Sequence, residues 1–361
     1  MSSASVMFHD ADYTASDAEL FLKFRIYNGL GGATLLLNVI IIFVIVTDTF
    51  LKRKMVLYIF LAAADAINGI AYVVSGIGRN YVVTHDEHLL QVSVWDCMTK
   101  KPWPVLLFIG ADLPVFTNVL LALELAIAAF QPALYRRYWR LNKKIAFGIV
   151  GWLVCGVWVA MAFVSARYSK SRTSLLCSVI NSAGVEFGSV NFFAMAVFNT
   201  LSILVVCRVY LITRNLNALN KNELLRQKVL LAIEFISLFQ IGIPSILLVI
   251  DMWGVIRLSF FATECLYIIY GSSGIWKILV YLLFRHDFRS HFFRLLRIKR
   301  FMPEGGAWKS EISRSKVSAW ATVRQANARS DEHGGFLRRI CIFKKKGRTL
   351  RNTAPLSSEQ E

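Results

Sequence analysis

The sequence predicts an all-α fold: a seven-transmembrane helix bundle, then a short amphipathic membrane-surface helix and a disordered basic tail. Three observations point there. Of the 361 residues, 56% are hydrophobic, against the roughly 45–50% of a soluble domain. The apolar residues gather into seven stretches of the length that crosses a bilayer core, about 20 residues in a helix. The basic residues fall mainly in the connections of one side, as cytoplasmic loops require. A chain with 26 Phe, 12 Tyr and 9 Trp also has too much burial capacity to be disordered throughout.

Residues 1–28 form an extracellular N-terminus, polar and acidic at its start. They lack the basic flank and apolar centre of a cleaved signal peptide, so the first span is expected to be its own insertion signal. The spans run over residues 29–46, 55–78, 104–130, 145–167, 190–213, 228–250 and 258–284, which makes 29–284 the membrane domain. An odd number of crossings places the termini on opposite sides. After the last span, residues 285–302 alternate Phe288, Phe292, Phe293, Leu295 and Leu296 with Arg289, Arg294 and Arg297 at helical spacing. Such a segment lies on an anionic inner leaflet, or else it is a solvated basic run. Residues 303–361 have the mixed polar composition of a disordered cytoplasmic tail.

Charge orients the bundle. The connections after the first, third and fifth spans with the span ends that flank them, together with the tail, carry 31 Lys and Arg; the other side carries 9, and Lys277 lies deep within a span. The N-terminus is therefore expected outside and the tail inside, in the plasma membrane. The formal net charge of +18 is concentrated on the inner face. It marks topology and contact with anionic inner-leaflet lipids, and no nucleic-acid partner is expected.

Cys97 and Cys177 both fall in outer connections, where a thiol pair can oxidise, so they are the expected disulfide. Cys155, Cys207 and Cys265 sit in or at the ends of helices, and Cys341 in the tail is a candidate for palmitoylation. Among the charges within spans are Asp65, Asp112, Glu124, Glu234 and Lys277. Each costs at least about 2.5–3.5 kcal/mol at the bilayer centre unless paired or hydrated. In the outer half, Asp112, Glu264, Trp103, Phe192, Phe193 and Phe261 are candidates to line a ligand cavity, an apolar pocket with one or two orienting charges. Asp112 can equally serve only to bond neighbouring helices. No metal-ligand spacing, nucleotide loop or catalytic motif is present, so neither enzyme activity nor a bound metal is expected.

The order of several residues resembles the rhodopsin-like G-protein-coupled receptors, and more narrowly the nematode serpentine chemoreceptor class sx, over about residues 29–300. Asn38 stands at the first-helix Asn, and Leu61 with Asp65 at the second-helix pair. Glu124, Pro132 and Tyr135 follow the spacing at the end of the third helix. Trp152 and Pro244 match the fourth and sixth helices, and Tyr281 with Phe288 and Arg289 matches the junction to the surface helix. The resemblance implies a receptor for a small chemical or short peptide, chemosensory in role, coupled to a heterotrimeric G protein. It also implies a coupling surface at Glu124, Leu125, Pro132, Tyr135, Arg136, Arg137 and Tyr281.

The departures matter as much. Leu125 stands where the family has an Arg, which puts coupling in question unless Arg136 or Arg137 substitutes; Gly242 replaces the sixth-helix Trp; Lys277 and Ile278 replace the seventh-helix Asn-Pro. In many relatives the acid at Asp65 binds sodium. The Lys277 ammonium is thus expected either to replace that ion against Asp65, to pair with Glu234, or to snorkel to the inner surface. Asn38 belongs to the same polar network. The retinal attachment point of the family falls at Gly271 and its amine-binding acid at Leu107, so no cofactor and no aminergic ligand are expected. The alternatives are a non-signalling receptor homologue and, further off, a transporter or channel, against which the absence of internal repeats counts.

Overall fold

The computed structural model describes residues 16–215 and 221–296. The tail with Arg297 and Cys341 lies outside them. Ser16 starts α1 (Asp17–Thr47) with a capping box, its hydroxyl taking the Glu19 N–H while the Glu19 carboxylate takes the Ser16 N–H. The helix thus begins well before residue 29. Leu20, Phe24 and Tyr27 recur at helical spacing and are buried, so an inward stripe extends the span through a segment that also carries Asp17, Glu19, Lys23 and Arg25.

The helix α2 (Thr49–Lys54) caps on Asp48 and leads to α3 (Val56–Thr84). A two-stranded antiparallel pair is assembled from segments far apart in the chain. β1 (Gln91–Ser93) precedes α4 (Val94–Lys100), α5 (Pro102–Phe130), α6 (Pro132–Tyr138) and α7 (Leu141–Tyr168), and pairs antiparallel with β2 (Arg172–Ser174), Val92 opposite Thr173. The all-α expectation did not include these two strands. After α8 (Val179–Ser182) and α9 (Val185–Asn215), α10 (Lys221–Ser237) runs through a π-helical turn (Leu238–Gly242) into α11 (Ile243–Met252). Pro244 has no N–H to donate, and the widened turn just before it absorbs the lost bond.

The last apolar stretch is broken. α12 (Phe260–Gly271) and α13 (Ile275–Phe284) meet at Ser272–Gly274 with a bend of 46°. α1 meets the carbonyls the break frees: Thr34 donates to Gly271 O at 3.2 Å and Asn38 to Gly274 O at 3.5 Å. A Cβ on Gly274 would lie 2.5 Å from Asn38 Nδ2 and 3.0 Å from Asp65 Cβ, so only glycine fits where three helices converge. α14 (His286–Leu295) closes the described chain, burying Phe288 beside Tyr281.

Among the described residues, six helices are long and apolar enough to cross a membrane, and seven segments if the bent pair counts as one. The architecture fits a multi-pass membrane protein. α3 and α5 are central, with 67% and 72% of their apolar windows buried, against 28% for α7. Peripheral faces present Leu36, Phe43, Leu153 and Val157 outward, an exterior suited to lipid and not to water. α1 and α3 approach at glycines: a Cβ on Gly31 would lie 2.6 Å from Gly69 O, and one on Gly69 2.7 Å from Gly31 O.

Candidate functional site

Polar side chains occupy the bundle at successive depths. At the end that carries the paired strands, Cys97 and Cys177 form a disulfide with a Cα separation of 5.6 Å. Arg79, near the end of α3, donates to Leu176 O and Cys177 O, both at 2.9 Å, and Trp103 Nε1 donates to Leu176 O at 3.0 Å. The loop is therefore fastened over the bundle by a bond, a cation and an indole. Trp103 spends its N–H on this loop and its ring on Gly78, so it braces the roof of the bundle.

Two of the residues expected in a ligand cavity point elsewhere. Phe193 is 60% exposed and Phe261 76%, whereas Phe192 is buried against Tyr270. Successive helical residues diverge by about 100°, so Phe192 and Phe193 cannot both face inward. Phe261, in the first turn of α12, faces out. Glu264 is buried but engaged: Lys23 Nζ lies 2.6 Å from its Oε1, and the Tyr27 hydroxyl donates to Oε2 at 3.3 Å. This pair ties α1 to α12.

Asp112 lies deeper on α5, two residues before Pro114. It is buried, and among the described residues no donor meets either oxygen in hydrogen-bonding geometry. Asn191, Cys155 and Tyr270 lie within electrostatic reach of it. The Tyr270 hydroxyl contacts Met195 Sδ at 2.8 Å. Asp112, Phe192, Met195 and Tyr270 thus gather an acid, two rings and a thioether where α5, α9 and α12 meet.

At mid-depth Lys277 binds Asp65. Its Nζ is 2.8 Å from Oδ1 and 2.7 Å from Oδ2, and both residues are shielded from solvent. The ammonium neither reaches the inner end of α13 nor pairs with Glu234, whose oxygens have no donor in geometry among the described residues. Asn38 donates to Thr34 O at 2.8 Å as well as to Gly274 O, bordering the same pair.

At the end opposite the disulfide, Glu124 is the hub. Lys144 Nζ is 2.6 Å from Oε1 and Arg226 Nη2 is 3.2 Å from Oε2; the Tyr135 hydroxyl donates to Oε1 at 2.8 Å and Trp139 Nε1 at 3.2 Å. One carboxylate on α5 therefore holds α6, α7 and α10. Leu125 is buried in the same apolar core as Tyr58 and Tyr281, and Tyr281 packs edge-on against Tyr58. Pro132 opens α6 at the surface. Arg137 does not substitute for the missing Arg: it is exposed, its guanidinium over Tyr138. The Arg136 side chain lies outside the described residues.

No family model matches the chain, and comparison with curated proteins finds no match. The site's chemistry rests on its own geometry. In sequence, Arg226, Lys144 and Lys23 read only as connection charges, because each lies at the margin of an apolar stretch. The signal that marks them is complementary: a buried carboxylate is stabilised by a base within side-chain reach, and Glu124 and Glu264 each take theirs from the margin of another stretch.

Proposed function

We propose that the chain is a seven-helix plasma-membrane receptor with its N-terminus outside, sensing a small chemical or short peptide and signalling to a heterotrimeric G protein. The observation that supports this most directly is the Glu124–Arg226 contact between α5 and α10. It lies below a helix interrupted by a π turn and Pro244. A ligand engaging Asp112, Phe192 and Tyr270 acts on α11 and α12; the interruption lets α10 swing, and parting Glu124 from Arg226 opens the end that carries the basic connections. In this reading α14 is the membrane-surface helix, its Arg289 and Arg294 facing anionic lipid.

The test is expression of the full chain in cells reporting both cAMP and calcium against a small-molecule and peptide library. Arg226→Ala is expected to raise basal signalling severalfold, because it removes the tie without touching the ligand region. A basal level unchanged in both reporters, with normal surface expression, refutes the role given to this contact. Leu125 favours a second reading, a receptor homologue that binds without signalling. Ligand binding with no response in either reporter, in the native chain and in Leu125→Arg, would establish it.

A further inference from the structure

Two carboxylates, Asp112 and Glu234, are buried to 1% exposure with no donor in geometry among the described residues. Glu234 differs in what surrounds it. Ser202 of α9 lies beside it. The Ser202 hydroxyl donates to Asn118 O of α5 at 3.3 Å, and Asn118 Nδ2 donates to Ser237 Oγ, one turn beyond Glu234 on α10, at 2.9 Å. Asn118 Oδ1 is itself buried without a donor in geometry among the described residues. Oxygens on three helices are therefore linked in one chain of contacts that reaches, through Ser202, an acid whose charge no adjacent base cancels, since both Asp65 oxygens hold the Lys277 ammonium.

We propose that Glu234, Asn118, Ser202 and Ser237 form a binding site for a small monovalent cation between α5, α9 and α10. The donor set is all oxygen, which suits a hard cation and not a soft transition metal. A single carboxylate matches a single positive charge; a divalent ion would leave a net charge in the apolar core. A proton neutralises the same carboxylate as well as a cation does, so the two compete for it. The other titratable or charged groups acting on Glu234 are Lys277 of α13, itself bound to Asp65 of α3, and the Cys207 thiol of α9.

The test uses the full-length protein purified in detergent, with thermal unfolding followed in sodium chloride and in N-methylglucamine chloride at equal ionic strength. A ligand roughly tenfold above its dissociation constant raises the midpoint by about 2–4 °C. Sodium is expected to produce this rise, to produce more of it at alkaline pH, and to lose the effect in Glu234→Gln. The double variant Asp65→Asn/Lys277→Met is expected to keep it. Equal midpoints in the two salts overturn the proposal, as does a sodium increment that survives Glu234→Gln or vanishes in the double variant. If Glu234→Gln does not fold, Asn118→Ala and Ser202→Ala decide: each is expected to raise the half-saturating sodium concentration severalfold, and an unchanged value in both overturns the site.

Discussion

Replacing Lys277 by Met leaves the Asp65 carboxylate without a counter-charge at the centre of the bundle. At 2.7 Å the pair attracts by about 6 kcal/mol at an effective dielectric of about 20. Desolvation of both ions opposes this, and breaking one side of a buried pair costs about 3–5 kcal/mol. Asp65→Asn is expected to cost as much, because it strands the ammonium instead. The double variant Asp65→Asn/Lys277→Met buries no unpaired charge and is expected to recover most of the loss, giving a coupling energy of about 3 kcal/mol or more. Thermal and denaturant unfolding of the four purified proteins, in detergent under one condition, measures the cycle. Additive single-variant effects, with coupling under about 0.5 kcal/mol, would refute the account in which these two residues neutralise each other.

Removing the disulfide by Cys97→Ser opens a loop of 80 residues. The chain-entropy cost is about 4–5 kcal/mol, expected as a fall in surface expression and in the unfolding midpoint under non-reducing conditions. Gly31→Ala is expected to destabilise strongly, because its Cβ would lie 2.6 Å from a backbone oxygen of α3. Gly29→Ala meets nothing within 4 Å and is expected to be neutral, or to stabilise by up to about 1 kcal/mol through helix propensity; the two midpoints compared in one assay check the glycine contact. Phe193→Ala and Phe261→Ala are expected to leave ligand response unchanged, while Phe192→Ala shifts the half-maximal concentration by tenfold or more, about 1.4 kcal/mol of binding. Dose–response curves of the three variants separate the inward ring from the outward ones.

The apolar stretches were legible because a bilayer core demands length and low charge, both visible without tertiary information. Their interruptions were not. Ser272–Gly274 carries no proline, and nothing local says that Thr34 and Asn38 of a distant helix will accept the role of its missing intrahelical donors. The start of α1 was hidden because Asp17, Glu19, Lys23 and Arg25 lower the mean hydropathy of the segment while the buried stripe of Leu20, Phe24 and Tyr27 continues. For the site, the residue type of each buried charge was readable and its partner was not. Lys277 had three physically allowed destinations, and only packing decides among them. Glu124 illustrates the same limit: Arg136 and Arg137 are nearest in sequence, but helical geometry sends Arg137 outward and brings in Arg226 from far along the chain. Phe193 and Phe261 were misread because composition gives a residue's character without its facing.

The seam between α1 and the α12–α13 break bears on how the chain is made. In lipid, backbone groups freed by a helix break must find partners within the protein, and here they find Thr34 and Asn38, near the start of the chain. During synthesis these two side chains emerge long before Gly271 and Gly274 exist. The last segment therefore matures only against a first segment already in place and waiting. A nascent chain released early would carry an unmated edge on α1, and a quality-control machinery that probes exposed polar groups within the bilayer would find it there.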